Sequence, residues 1–227
     1  MYKTKMNNLT LIIPAKKEKE SLSKVLDELK PYNYKIVVVL EKEDYETIES
    51  IQDRECKILF QKKMGYGDAL IQGINFIETE LFCIFNADGS FNPIEIRQML
   101  KILHSNNSDL VFGTRYEKDC SSEDDTLITS IGNFIFTNLG KIFFRLKISD
   151  ILYTYVIGKT DKVKNLNLQS KDFVFCVELP IKANRSNLLL SNSKSNERAR
   201  IAGTKKVNAF RDGLKILLGM IKLFFKN

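Results

Sequence analysis

The sequence predicts one α/β domain built on a mainly parallel sheet that is flanked by helices, with an amphipathic helix at the carboxyl end. Short apolar runs alternate with helical patterns along the chain, as they do in βαβ units. The 227 residues can bury one full core, and 44% hydrophobic with 28% charged residues is typical of a globular protein. We divide the chain into a main domain at residues 1–207 and a helical segment at residues 208–227.

The first half of the chain contains five apolar runs of strand length. They predict strands at residues 9–14, 35–40, 57–60, 81–86 and 110–113. Apolar residues at helical spacing between these runs predict helices at residues 21–29, 68–79 and 93–104. Pro93 suits the first turn of its helix, because proline there loses no N–H that the helix needs.

The pattern changes beyond residue 115. A long helix is predicted at residues 122–145, beginning at Ser122 with Asp125 as its capping-box partner. Its polar residues Asn133, Thr137 and Lys141 recur every four positions and leave one broad apolar face. The rest of the chain predicts a strand at 151–157, a helix at 173–183, a strand at 188–190, a mobile polar loop at 191–207 and a final helix at 209–225.

Composition narrows the classes of partner and site. A net charge of +7 favours anionic partners: phosphates, nucleic acid or an anionic lipid surface. The four cysteines lie far apart, so neither a zinc site nor a disulfide framework is expected, and a reduced cytosolic setting fits best. His104 is the one histidine, which excludes histidine-based triads and multi-histidine metal sites. No stretch of about 18 uncharged apolar residues occurs, so no transmembrane helix is predicted.

The end of the fourth strand carries the sequence NADGS at residues 86–90. A carboxylate at the carboxyl end of a parallel strand lies in the crevice where open α/β sheets bind ligands. With a neighbouring oxygen ligand, Asp88 could hold Mg²⁺ or Mn²⁺ against substrate phosphates. The alternative is an ordinary turn in which Ser90 or Asn92 caps the next helix.

Two further segments could bind phosphate groups. Gly65 and Gly67 open a helix, where backbone N–H groups can approach an anion, although a GxG pair also occurs in many turns. The run from residue 195 to 206 gathers four cations that could clamp a diphosphate, or could form a solvated charged loop. These cations are Arg198, Arg200, Lys205 and Lys206.

The last predicted helix has a basic stripe opposite an apolar face. The stripe consists of Arg211, Lys215, Lys222 and Lys226. Cations beside a broad apolar face suit a helix that lies in an anionic membrane interface. Docking of the same face on the domain core is the alternative.

Taken in order, these motifs resemble those of the family 2 glycosyltransferases of GT-A fold, and within them the dolichyl- or polyprenyl-phosphate mannose synthases. The resemblance covers nearly the whole chain. The opening strand and turn, LIIPAKKE at 11–18, are similar to the family's Pro-Ala-x-Asn-Glu segment, and NADGS takes the place of its Asp-x-Asp motif. Further similar segments are GTRY at 113–116, DILY at 150–153, FVFCVEL at 173–179 and the basic run from 197 to 205.

The resemblance implies inverting transfer of a hexose from a nucleotide-sugar donor, of the GDP-mannose or UDP-glucose type, to a polyprenyl-phosphate lipid. It implies a metal site for Mg²⁺ or Mn²⁺ formed by Asp88, Asn86 and Ser90, and catalytic roles for Asp88, Arg115 and Arg198. The implied donor-binding residues are Pro14, Ala15, Glu18, Glu41, Gly65, Gly67, Asn86, Ala87, Arg200 and Lys205. The enzyme would sit peripherally on the cytoplasmic face of a membrane.

The chain departs from the family pattern at three places. Asn86 replaces the first Asp of the metal motif, Leu40-Glu41 replaces Asp-Asp after the second strand, and Lys17 replaces Asn in the first motif. Two alternatives therefore stay open: transfer to a hydroxyl of a glycan or glycolipid, with Glu178 as the base, and nucleotide-sugar binding without turnover. Nucleic-acid binding is disfavoured, because neither aromatic-basic interleaving nor a recognised module occurs.

Overall fold

The computed structural model describes residues 8–226. Residues 1–7 of the predicted main domain and residue 227 of the predicted helical segment lie outside the described residues. The strands are β1 Leu9–Pro14, β2 Lys35–Leu40, β3 Lys57–Phe60, β4 Leu81–Ile84, β5 Leu110–Thr114, β6 Ser121–Ser122, β7 Val156–Lys159, β8 Leu190–Lys194 and β9 Asn196–Glu197. The α-helices are α1 Leu22–Leu29, α2 Tyr45–Glu49, α3 Tyr66–Phe76, α4 Glu95–Ser105, α5 Leu127–Phe144, α6 Thr160–Lys164, α7 Phe175–Arg185 and α8 Ala209–Phe225. A short 3₁₀ turn, Lys30–Tyr32, follows α1.

The central sheet has the strand order β3-β2-β1-β4-β7-β5-β8. Strand β7 pairs antiparallel with β4 and β5, whereas every other pairing in this sheet is parallel. The mainly parallel α/β fold predicted from the sequence is thus confirmed. Since parallel strands expose their carboxyl ends at one edge, β1, β2 and β4 deliver their last residues to the same crevice.

Alternating side chains along the strands build a core on each face of the sheet. Ile12 of β1 packs in one core with residues of α3, α7 and α8. Leu11 and Ile13 point the other way, into a second core with residues of α1 and α4. Strand β1 and most of β2 are therefore apolar at successive positions, which is why they have the bounds that the sequence predicts. Strand β3 also has its predicted bounds, although it lies at the edge of the sheet and is partly exposed.

The long helix begins later than predicted. Thr126, not Ser122, is its N-cap: the Thr126 and Thr129 hydroxyls accept hydrogen bonds from each other's backbone N–H at 3.3 and 2.9 Å. Ser122 instead belongs to β6, which pairs with β9, and its hydroxyl accepts from the N–H of Asp125 at 3.0 Å in a turn. The predicted capping box was wrong because residues 121–122 use their backbone groups in strand pairing.

The segment predicted as a mobile loop from residue 191 onwards begins as a strand. Strand β8 pairs with β5 at the edge of the sheet, and β9 follows two residues later. An edge strand pairs through its backbone and needs few apolar side chains, so its polar sequence hid it. The prediction at 151–157 was also wrong in its start, since β7 begins at Val156, and the short helices α2 and α6 were not predicted.

The carboxyl-terminal helix α8 is part of the domain rather than an appendage. Ile216 and Met220 are buried in the core that α3 and α7 share, and Gly219 lies close to Val174. The opposite face of α8 is exposed, including Phe210 and its other apolar residues. One side of α8 therefore docks on the core, as the second alternative expects, and the other side is exposed.

Helix α5 turns Phe136, Leu139 and Phe144 towards the core, but it also buries polar residues there and leaves a broad apolar face exposed. Its buried residues include Asn133 and Thr137. Its exposed residues include Leu127, Ile128, Ile131, Phe134, Ile135, Ile142 and Phe143. Among the described residues it is the one helix whose length and apolar composition suffice to cross a bilayer. The sequence analysis did not predict this because it required about 18 uncharged residues, and α5 contains Lys141. The Phe143 ring contacts the Phe224 ring at 5.8 Å between centroids, so the outer faces of α5 and α8 adjoin.

Candidate active site

A cleft of about 590 Å³ opens at the carboxyl ends of β1 and β4. It gathers most of the residues that the sequence nominated, from segments up to 190 positions apart in the chain. The nominated residues that line it are Pro14, Ala15, Glu18, Glu41, Gly65, Asn86, Ala87, Asp88, Ser90, Arg115, Arg200 and Lys205. Two nominated residues, Gly67 and Arg198, do not line it.

The turn after β4 presents the nominated metal ligands. One Asp88 carboxylate oxygen accepts the backbone N–H of Ser90 at 3.0 Å, and the Asn86 amide nitrogen donates to the Ser90 hydroxyl at 3.2 Å. Because this hydrogen bond uses the amide nitrogen, the Oδ1 atom of Asn86 remains available as a metal ligand. Within residues 8–226 no group of three His, Cys, Asp or Glu residues could hold a metal. The turn itself offers one carboxylate and one amide oxygen, a donor set that Mg²⁺ or Mn²⁺ can use when substrate phosphates complete its coordination.

Arg115 is held inside a group of carboxylates at the floor of the cleft. Its Nε lies 2.8 Å from Asp150 and its Nη1 lies 2.9 Å from Glu197, while Asp125 is 3.8 Å away. Burial alone would lower the pKa of Arg115, but Asp150 and Glu197 outweigh it and raise that pKa well above its ordinary value. The guanidinium is thus permanently charged and already compensated. Asn133 fixes the arrangement by donating to Asp150 at 2.7 Å.

The basic segment after β9 lies on the Asp88 turn. The Arg198 backbone N–H donates to the Ser90 carbonyl at 2.9 Å, and the Ile201 N–H donates to the Asp88 carbonyl at 2.8 Å. These two bonds bring the Arg200 guanidinium to 3.6 Å from the Asp88 carboxylate. Cations from a distant part of the sequence are therefore positioned beside the candidate metal ligand.

The side chain of Arg198 points away from the cleft. Its guanidinium pairs with Glu28 of α1 at 2.7 Å and donates to the Phe91 carbonyl at 2.6 Å. Arg200, two residues later, contacts Asp88 and Asp124 instead, so the two guanidinium groups go to different partners. The structure thus does not place Arg198 where it was expected, and Lys206, 3.4 Å from Glu18, lines the cleft instead.

Two other nominated residues serve the packing around the cleft. A Cβ on Gly67 would lie 2.2 Å from the Ser170 carbonyl oxygen, so this glycine permits helix α3 to approach the segment before α7. Glu178 is buried, accepts the N–H of Ser170 at 2.7 Å and pairs with Lys182 at 2.7 Å. Glu178 does not line the cleft, which removes it as the base for a hydroxyl acceptor.

The acidic residues of the cleft that were not nominated from the sequence include Asp124, Asp125 and Asp172. Asp124 pairs with Arg200 and Lys205. Asp125 accepts from the Tyr116 hydroxyl, and Asp172 accepts from the Val174 N–H at 3.1 Å just before α7. The adjacent acidic pair just before an apolar helix was the available signal, but it was assigned to that helix and its cap.

Comparison with known proteins gives the family. The model of "Glycosyl transferase family 2" matches residues 10–166. A dolichol-phosphate mannosyltransferase of Pyrococcus furiosus is 30% identical over 119 residues, which is 48% of this chain and 34% of the relative. An uncharacterised protein of Methanocaldococcus jannaschii is 24% identical over 135 residues, or 56% of this chain and 55% of the relative. The matches thus span about half or less of these curated relatives.

Solved structures give the fold. Glucosyl-3-phosphoglycerate synthase of Mycobacterium tuberculosis, in complex with Mn²⁺, UDP and glucosyl-3-phosphoglycerate, has a TM-score of 0.76 and 12% identity over 96% of this chain and 80% of that chain. The same enzyme with Mg²⁺ and UDP has a TM-score of 0.76 and 10% identity over 96% and 79%. The GT-A fold expected from the resemblance is confirmed. With a family model matched over more than half of its length, the chain belongs to glycosyl transferase family 2.

Proposed function

We propose that this glycosyltransferase moves a hexose from a nucleotide-sugar donor to a polyprenyl-phosphate lipid while it sits on the cytoplasmic face of a membrane. The observation that carries the proposal is helix α5, whose inner side lines the cleft through Thr129 and Asn133 and whose outer side is apolar and exposed. A relative named dolichol-phosphate mannosyltransferase is consistent with it. The donor base and sugar, GDP-mannose or UDP-glucose in type, follow from the resemblance alone.

The cleft residues would act mainly on the donor. Asp88 and the Asn86 amide oxygen would hold Mg²⁺ or Mn²⁺, which supplies Lewis-acid charge to the donor diphosphate. Arg200, Lys205 and Lys206 line the same side and would stabilise the nucleoside diphosphate as it leaves. An acceptor that arrives as a phosphate anion is already a nucleophile, so no residue of the cleft has to remove its proton.

Membrane attachment rests on the adjoining outer faces of α5 and α8. Phe134 of α5 and Phe225 of α8 are 71% and 80% exposed. Exposed apolar patches of this kind, when bordered by cations, suit an anionic bilayer surface. The bordering cations are the exposed Lys141, Lys215 and Lys222. We place the acceptor's lipid chain along this surface, with its reactive group entering the cleft between α5 and α8.

A second candidate is transfer to a hydroxyl of a glycolipid, which the surroundings of Arg115 favour. Three carboxylates lie within 4 Å of this single guanidinium, so an incoming phosphate would meet net negative charge at the floor of the cleft. A neutral hydroxyl would not be repelled, and Asp125 or Asp172 would replace Glu178 as the candidate base. Donor binding without turnover remains the third outcome.

The deciding experiment supplies labelled GDP-mannose or UDP-glucose, Mg²⁺ or Mn²⁺, and either a polyprenyl phosphate or a neutral glycolipid. Metal-dependent transfer of label to the polyprenyl phosphate, in a product cleaved by mild acid, supports the first proposal. Transfer only to the glycolipid, in an acid-stable product, supports the second. Tight donor binding with no transfer to either lipid class contradicts both and identifies a binder.

A further inference from the structure

The carboxylate of Asp124 forms ion pairs with two cations of the cleft, Arg200 and Lys205. The two Asp124 carboxylate oxygens accept from Nε and Nη2 of Arg200, both at 3.0 Å. Lys205 Nζ lies 3.2 Å from the same carboxylate and also donates to the Asp124 carbonyl. The Arg200–Asp124 pair is bidentate, and the Lys205 ammonium adds a further contact. The same geometry binds a phosphate group equally well.

The cations lie where a donor diphosphate would lie. Arg200 is 3.6 Å from Asp88, the nominated metal ligand, and its backbone is fastened to the Asp88 turn on both sides. Arg200 therefore stays beside the metal ligand whatever its guanidinium contacts. The carboxylate comes from elsewhere, from the short link of residues 123–126 between β6 and α5. Only this link has to move for the guanidinium to exchange one anion for another.

We propose that Asp124 is an internal substitute for the donor diphosphate, which the donor must displace from Arg200 and Lys205. The inference rests on the proposed function, because it takes the cleft to bind a nucleoside diphosphate. Asp124 would keep the two cations compensated and oriented in the free enzyme, and it would lower the apparent donor affinity by the free energy of the internal pair. The displaced link leads directly into α5, so donor binding would also loosen the start of the helix that faces the membrane.

The ionisation of Asp124 agrees with this role. Burial acts to raise its pKa, but the bonds and charges of Arg200 and then Lys205 outweigh burial and hold that pKa below its ordinary value. The group is therefore an anion at neutral pH, as a substitute for a phosphate must be.

The test measures binding of UDP, GDP and inorganic pyrophosphate by calorimetry, with Mg²⁺ present. We expect Asp124→Asn to bind pyrophosphate and the preferred nucleotide roughly three- to tenfold more tightly than the wild type, because the competing charge is removed. Glu123→Gln removes the same charge one residue earlier, from a carboxylate that accepts only the Ala199 N–H at 3.3 Å, and should leave the affinity unchanged. Equal tightening in both variants would mean a general charge effect and would overturn the inference.

The same substitution in an Arg200→Gln background tests whether the gain in affinity depends on the Asp124–Arg200 ion pair. In Arg200→Gln the cation is gone, so adding Asp124→Asn should bring at most a small further gain in affinity. A full gain in that background, or unchanged or weaker binding by Asp124→Asn alone, would show that Asp124 does not compete for the site. If the wild type and all variants, folded by circular dichroism, bind none of the three ligands, the proposed function fails together with the inference. Nucleotide binding without the Asp124 effect would sink the inference alone.

Discussion

Membrane attachment through α5 makes a sharp prediction for Phe134→Ser. The Phe134 ring projects from the middle of the outer face and is 71% exposed, so its removal should leave the fold and its stability nearly unchanged. If the face enters the bilayer interface, the same removal takes away apolar surface that is buried on binding. Stability and membrane affinity should therefore respond differently to one substitution.

The size of the effect follows from the exposed fraction. Burying a whole phenylalanine side chain contributes roughly 2–3 kcal/mol, so about 70% of one contributes roughly 1.5–2 kcal/mol. A loss of that size lowers the partition coefficient by a factor of roughly 10–30. Partial insertion of the ring would reduce the factor, so the lower end of this range is the firmer expectation.

The assay is flotation with vesicles that contain anionic lipid, over a range of lipid concentrations. Tyr45→Ser is a matched control, because Tyr45 is 70% exposed on α2, outside the apolar face. We expect the control to float like the wild type and Phe134→Ser to need about tenfold more lipid. Equal flotation of all three proteins, or an equal loss in both variants, would refute membrane binding by this face. Deletion of α8 is a poorer test, since it removes Ile216 and Met220 from the core.

Three further predictions concern single carboxylates. Asp88→Ala should abolish transfer in saturating metal yet keep the wild-type melting temperature; retained activity would exclude the metal role. Asp150→Ala removes the buried carboxylate that accepts hydrogen bonds from the Arg115 guanidinium and the Asn133 amide, and it should lower the free energy of unfolding in urea by about 3–5 kcal/mol. Burial acts to raise the pKa of Asp109, but the Leu189 N–H and Lys159 hold it below 3.8. The stability that Asp109→Asn loses at neutral pH should thus fade as pH falls below about 4, and a pH-independent loss would contradict this.

The sequence was sufficient where local chemistry decides structure. The strands β1 and β2 have their predicted bounds because strands buried on both faces are apolar at successive positions. It was insufficient at β6, β8 and β9, where polar segments pair through the backbone with partners far away in the chain. Such pairing has no local pattern, so Ser122 was assigned to a helix and residues 191–194 to a loop.

The residues of the candidate site were likewise predictable only in part. Residues at the carboxyl ends of β1 and β4 could be nominated because parallel strands bring those ends together. The separation of Arg198 from Arg200 could not be predicted, since it depends on which side of the Asp88 turn the basic segment meets. The position of Asp124 could not be predicted either. The sequence pattern assigns it to the start of a helix, whereas in the fold its carboxylate faces Arg200 and Lys205.

The burial of polar groups under α5 argues that its outer face has a partner. Helix α5 turns Phe136, Leu139 and Phe144 towards the core, but it buries Asn133 and Thr137 beside them and leaves a row of large apolar residues exposed. Both are satisfied: Asn133 donates to Asp150 and accepts from Leu152 N–H at 3.1 Å, and Thr137 accepts from Ile151 N–H at 3.2 Å. These bonds tie the helix to the carboxylate that holds Arg115, so the polar side serves the cleft. The exposed apolar residues thus lie on a helix whose other side lines the cleft, and we expect an apolar phase such as a bilayer surface to cover them.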